Sequence, residues 1–160
     1  MIFATVGTQL PFPRLIDALA ALAPGLGEEI VAQTGPATPE ETARWGALTL
    51  APALTPAEFE ARFAAARIVV AHAGIGTILS AKRLGRPLVL LPRRAALGEH
   101  RNDHQMATAR QVAEFPGVHV AWEASDLAPL LARTDLEPAS AAPSPSAEKL
   151  IARLRAFIAG

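Results

Sequence analysis

Short apolar runs alternate with longer amphipathic stretches along the chain. Met1–Val6, Glu29–Gln33, Ala47–Leu50, Ile68–Ala71, Pro87–Leu91 and Gly117–Ala121 read as strands. Pro87–Leu91 contains an unbroken Leu-Val-Leu-Leu run, the pattern of a strand buried on both faces. Pro13 suits the first position of a helix, and Leu15, Ile16, Leu19 and Leu22 give that helix one apolar face. The helix is expected to end near Pro24-Gly25, and the stretch from Thr34 to Glu41 reads as a Pro/Thr-rich loop. Thr55-Pro56-Ala57-Glu58 has the form of a capped helix start, and Phe59, Phe63 and Ala66 supply its buried side. Further helices are expected over about 77–84, 104–114 and 124–133, the last capped at Ser125.

Strand and helix alternate throughout residues 1–133. This predicts one three-layer α/β/α domain with a mainly parallel sheet. Residues 134–146, rich in Pro, Ala and Ser, read as a linker or surface arm. Residues 147–160 read as a C-terminal amphipathic helix with Leu150, Ile151, Leu154 and Ile158 on one face.

In such sheets ligands bind beyond the carboxyl ends of the strands. Three loops leave those ends, Gly7–Phe12, His72–Thr77 and Pro92–Asp103, and they are expected to meet at one crevice. The middle loop, His72-Ala73-Gly74-Ile75-Gly76-Thr77, joins a buried strand to a helix. Its glycines let a ligand approach the backbone closely, and the helix N-terminus offers free N–H groups and a positive dipole end to a phosphate. A plain strand-to-helix turn with no ligand explains the same residues, since a lone glycine-rich turn is weak evidence.

Composition removes several function classes. Formal net charge is zero, so the chain lacks the electrostatic footprint of a nucleic-acid binder. It has no cysteine, which excludes disulfides and thiolate chemistry. No apolar run approaches the ~20 residues of a membrane span. No basic n-region precedes Ile2-Phe3-Ala4-Thr5-Val6, so a signal peptide is not expected and a cytoplasmic location is.

Three segments together point to a family: Ile2-Phe-Ala-Thr-Val-Gly-Thr-Gln-Leu-Pro-Phe12, Ala71-His-Ala-Gly-Ile-Gly-Thr77, and Pro92-Arg-Arg-Ala-Ala-Leu-Gly-Glu-His-Arg-Asn-Asp-His-Gln105. Their order over residues 1–133 resembles the C-terminal domain of family 28 glycosyltransferases. The type is similar to the small PssE-like subunits of bacterial exopolysaccharide synthesis. A eukaryotic relative is the catalytic subunit of the two-part dolichol-linked GlcNAc transferase. The resemblance implies a Rossmann-like domain equivalent to the donor half of a GT-B enzyme, which transfers a sugar from a UDP-sugar with inversion. It implies a PssD-like, membrane-anchored partner that supplies the acceptor half and a polyprenyl-diphosphate-linked acceptor. That partner would recruit this chain to the inner face of the cytoplasmic membrane. No metal or other cofactor is implied. A UDP-GlcNAc 2-epimerase-like enzyme and a non-catalytic nucleotide-sugar binding module are the rival readings.

The resemblance also implies roles for particular residues. Ile75, Gly76 and Thr77, with Gly7, Thr8, His72 and Gly74, would face the donor diphosphate. His104 and Gln105, with Asn102 and Asp103 nearby, would face the donor sugar. Ser80 stands where many relatives place a ribose-binding Glu, so either Ser80 or Glu99 from the neighbouring loop would serve the ribose. The general base is expected on the partner, with His104 as the local candidate.

Several of these residues have plainer readings. His72 is either a histidine bonded to nearby backbone or a donor to the phosphate. His100 and His104 have helical metal-pair spacing, with Glu99 beside them, although no metal is expected. Arg93 and Arg94 are either solvated or a clamp for a phosphate or a uronic acid carboxylate. A clamp on a carboxylate would make the donor UDP-glucuronate; UDP-glucose, UDP-galactose and UDP-GlcNAc stay open.

Overall fold

The computed structural model describes residues 1–140. In chain order the elements are β1 Ile2–Thr5, α1 Pro13–Leu26, β2 Ile30–Gln33, α2 Pro39–Arg44, β3 Thr49–Ala51, α3 Pro56–Ala65 and β4 Ile68–Ala71. α4 Ile75–Leu84, β5 Leu88–Leu90, α5 His104–Val112, β6 Val118–Val120 and α6 Leu127–Leu131 follow. Single 3₁₀ turns cover Ala95–Leu97 and Ala124–Asp126.

The six strands form one sheet in the order β3-β2-β1-β4-β5-β6, and every pairing is parallel. Every residue of β1, β2, β4 and β5 is buried, because helices cover both faces of the sheet. Alternate residues feed two cores. Ile2, Ala4, Ile30, Ile68 and Val70 pack against Leu15, Ile16 and Leu19 of α1 and Leu127 and Leu131 of α6. Phe3, Val31, Val69, Leu88 and Leu90 pack against Phe63, Ile78, Ala81 and Ala109 on the other face.

Four local expectations change. α1 continues through Pro24 to Leu26 and ends where Gly27 adopts φ 65°. Pro24 lies in the last turn, where it cannot donate to the Ala20 carbonyl, yet the helix runs on past it and the left-handed cap falls on Gly27 instead of Gly25. Part of the expected loop before Glu41 is helical: Thr38 accepts from the Glu41 amide while the Glu41 carboxylate accepts from the Thr38 amide. α4 begins at Ile75, with Gly74 as N-cap, two residues earlier than the pattern predicted. The 124–133 segment splits into a 3₁₀ turn and a short helix, and Asp126 bonds the Glu123 amide where Ser125 was expected to cap.

Beyond α6 the described chain returns to the sheet. Ala139 is buried, its amide donates to the Arg86 carbonyl, and Pro138-Ala139 lies directly on Gly117. A Cβ at Gly117 would stand 2.2 Å from the Ala139 nitrogen, and its φ of 73° also demands glycine. The expected helix of 147–160 and residues 141–146 lie outside the described residues. Among the described residues no helix is long and apolar enough to cross a membrane.

Candidate functional site

The strand order reverses direction at β1 and β4. From β1 the chain winds outward through β2 to β3, and from β4 through β5 to β6. The crevice of such a sheet opens at the carboxyl ends of the two central strands. A cleft of ≈ 700 Å³ opens there, and residues from all three expected loops line it.

Glycines shape the centre of this cleft. The His72 imidazole lies against Gly7 and Gly74, and a Cβ on either would fall within 2.8 Å or 2.3 Å of a ring atom. Gly7 also has φ 81°, so it is required twice over. The glycines thus make a slot for the ring. Burial, with the positive charge of Arg93, pushes the His72 pKa down to about 4. The imidazole is therefore neutral near pH 7, although the Thr5 backbone favours its protonated form, and its buried Nδ1 has no hydrogen-bond partner within bonding geometry among the described residues. Gly76 lines the cleft with Gly7 and Gly74 but differs from both, because a Cβ there would meet nothing within 4 Å. The first turn of α4, with its unsatisfied N–H groups, opens onto free space.

The wall from the first loop is tied down at its base. Thr5 donates to Gln33 Oε1 (2.7 Å), and the Gly7 amide donates to Thr5 Oγ1. Thr8, Thr77 and Ser80 also line the cleft, as do His104 and Gln105. His100 and His104 pack edge to face, with ring centroids 4.3 Å apart. Among the described residues no group of three or more His, Cys, Asp or Glu side chains is placed to hold a metal ion.

Other expected site residues have different partners. Arg93 is 2 % exposed, and its guanidinium donates to the carbonyls of Val6, Leu10 and Pro11. Arg94 turns away to the Trp122 carbonyl and Glu123. Both guanidiniums are thus already bonded within the protein; Arg93 is part of the cleft lining and Arg94 is not. Glu99 is likewise unavailable to a ribose: Arg14 takes both carboxylate oxygens, and one also accepts from the Arg94 amide. Asn102 accepts from the His104 amide and Asp103 from the Ala95 amide, and both stand outside the cleft wall. Gln105 is buried, and its Oε1 accepts from the Arg93 amide.

The sequence reading missed one whole wall. Gln33, Leu54, Pro56 and Phe59 bring the ends of β2 and β3 and the start of α3 into the cleft. Gln33 was findable, since it ends a strand next to the central pair. Phe59 was read as core and is indeed partly buried there, so its second face gave no separate signal.

An all-parallel sheet in this order, with its cleft at the switch point, defines a Rossmann-like α/β domain of the kind found as the C-terminal half of GT-B glycosyltransferases. The chain belongs to the glycosyltransferase family 28 C-terminal domain family, whose model matches residues 1–152. Its fold is similar to the NMR solution structure of ALG13, with TM-score 0.62, 19% identity and 93% of each chain covered. It is also similar to the MurG of Acinetobacter baumannii, with TM-score 0.58 and 21% identity over 81% of this chain and 38% of that one. A third likeness is the UDP-GlcNAc 2-epimerase of Methanocaldococcus jannaschii in complex with UDP-GlcNAc and UDP, with TM-score 0.58 and 11% identity over 98% of this chain and 45% of that one. No curated protein sequence matches this chain.

Proposed function

We propose that the chain is the donor-binding subunit of an inverting glycosyltransferase that uses a UDP-sugar and works with a second, acceptor-binding polypeptide. The observation that carries this reading is the open entrance of α4. Gly76 leaves room for a ligand against the free amides of Ile75, Gly76 and Thr77, in the cleft of a glycosyltransferase-family domain. Such amides at a helix start suit a diphosphate, and they neutralise it without a metal. Gly7 and Thr8 would close over the opposite side. Neutral His72 would offer an N–H donor from its glycine slot.

In this reading the acceptor hydroxyl attacks the anomeric carbon, its bond to the diphosphate oxygen breaks, and the UDP leaves toward the α4 entrance. The preorganised N–H groups stabilise the charge that develops on the leaving oxygen. Ser80 would meet the ribose, and His104 and Gln105 the sugar. The base would come from a PssD-like, membrane-anchored partner presenting a lipid-linked acceptor in exopolysaccharide synthesis, with His104 the local alternative. The likeness in fold to ALG13 over 93% of each chain supports a donor-binding domain of this kind. With Arg93 and Arg94 committed elsewhere, the glucuronate form of the donor loses the residues that supported it.

Calorimetry with UDP in the presence of chelator tests the reading. Binding without added metal is expected; no binding, or strict dependence on magnesium or manganese, overturns it. The likeness to the 2-epimerase gives the rival its one observation. UDP-GlcNAc incubated with the chain and its partner decides between them: transfer to a lipid acceptor supports the transferase, and interconversion to the 2-epimer the rival.

A further inference from the structure

Two arginines are exchanged between the loops that flank the cleft. Arg14, at the start of α1, reaches across to the Glu99 carboxylate and the Pro92 carbonyl. Arg93, just past β5, reaches the other way, into the loop that follows β1. One of its terminal nitrogens donates to the carbonyls of Val6 (3.0 Å) and Leu10 (2.7 Å), and the other to that of Pro11. Its guanidinium also lies 4.4 Å from the centre of the Phe12 ring. Among the described residues no carboxylate is bonded to it, since Glu99 is taken by Arg14 and the Arg94 amide.

A buried cation without a carboxylate partner is expensive, and an apolar side chain would fill the space more cheaply. Packing alone therefore does not explain Arg93. What it does is turn three carbonyl oxygens of one short loop inward, onto a positive charge. Carbonyl oxygens facing the cleft would repel an anion. Drawn onto Arg93, they are turned from the cleft, and a fixed, almost fully buried positive charge stands within the cleft's own lining.

We infer that Arg93 is a positioning residue for the donor diphosphate: it holds the Gly7–Leu10 loop in an anion-accepting shape and adds a fixed positive charge, without touching the ligand. This rests on the donor-binding reading above. It differs from the clamp expected from sequence, because Arg93 acts through the loop and not on the sugar.

The test compares Arg93→Met and Arg93→Lys with wild type below their melting temperatures. UDP is titrated by calorimetry, uridine by NMR, and exchange of the Gly7–Leu10 amides and the His72 pKa are followed by NMR. Arg93→Met is expected to weaken UDP at least tenfold, leave uridine within twofold, and speed amide exchange in the loop. Arg93→Lys, which keeps the charge and loses the fork, should fall between. The His72 pKa should rise part of the way in the Met variant, which removes the positive charge and leaves the burial, and stay low in the Lys variant. Equal losses for UDP and uridine, or wild-type UDP affinity in a folded Met variant, would overturn the inference. Should Arg93→Met not fold, Arg93→Lys decides by the same ratio of UDP to uridine. Should wild type not bind UDP at all, the donor reading fails and this role for Arg93 with it, and unchanged exchange in the variants would further show that the loop needs no tether.

Discussion

The two ends of the sheet use the same side chain differently. At the amino end, Arg67 leads into β4, pairs with Glu28 just before β2, and donates to the carbonyls of Leu131, which ends α6, and of Arg133 beyond it. At the carboxyl end, Arg93 also gathers main-chain carbonyls, yet among the described residues it makes no ion pair. One arginine is neutralised by its own neighbourhood and ties three segments together. The other leaves a positive charge buried beside a cleft. On the proposed reading, the first charge serves stability, and the second, which Glu99 opposes only through space, serves an anion in the cleft.

The sharpest way to break this contrast is to fill the cleft without disturbing its walls. Gly76→Val places a branched side chain in open space, so the melting temperature should stay within a few degrees of wild type. UDP affinity should fall at least about a hundredfold, close to 3 kcal/mol. Unchanged affinity in the folded variant would move the phosphate site elsewhere. Gly74→Ala is the paired control. Its Cβ would collide with the His72 ring at 2.3 Å, so stability should fall as well, by about 1–3 kcal/mol.

Acid separates the two ends on one axis. The pKa of buried His72 lies near 4, below the 6.5 of an unfolded histidine, so the unfolded chain takes up that proton first. The stability contributed by neutral His72 is complete above pH 6.5 and falls as pH drops toward 4; the full shift is worth about 3 kcal/mol. The hydrogen bond from Arg67 holds Glu28 below its ordinary 4.5, so its contribution is present above pH 4.5 and is lost as pH falls lower. Denaturant melts from pH 7 to 3 should show two successive losses. His72→Gln should remove the first and Glu28→Gln the second. A single loss that neither variant moves would show that other groups govern acid stability.

Much of the carboxyl end was legible because its requirements are local. Two glycines in six residues after a buried strand, and a histidine before them, announce a tight turn and a helix entrance wherever the rest of the chain goes. The partners of Arg93, Arg94 and Glu99 were not legible, because each bonds something distant in sequence. Arg14 is 85 positions from Glu99, and Arg93 is 87 from Val6. A charged residue in a loop facing a cleft reads the same whether it points at the ligand or behind the wall. The Thr38 capping box is a different failure. Thr38-Pro39-Glu40-Glu41 repeats the form of Thr55-Pro56-Ala57-Glu58, and the helix it starts has no buried residue, so apolar periodicity gave no sign of it.

The last prediction concerns the amino end and is the smallest in effect. Arg67→Met keeps the length of the side chain and removes every hydrogen bond its guanidinium makes. Glu28 loses its pairing with the guanidinium, and the Leu131 and Arg133 carbonyls lose a donor. Part of the site is open to water, which can replace some of these bonds, so the loss should be modest, about 1–2 kcal/mol in chemical denaturation. UDP affinity should stay within twofold of wild type, because the substitution lies at the far end of the sheet from the cleft. The opposite pattern is expected of Gly76→Val, which spends nothing in stability and nearly everything in binding. If Arg67→Met weakened UDP tenfold at full folding, the two ends would be coupled through the parallel strands. The division between a stabilising end and a binding end would then fail.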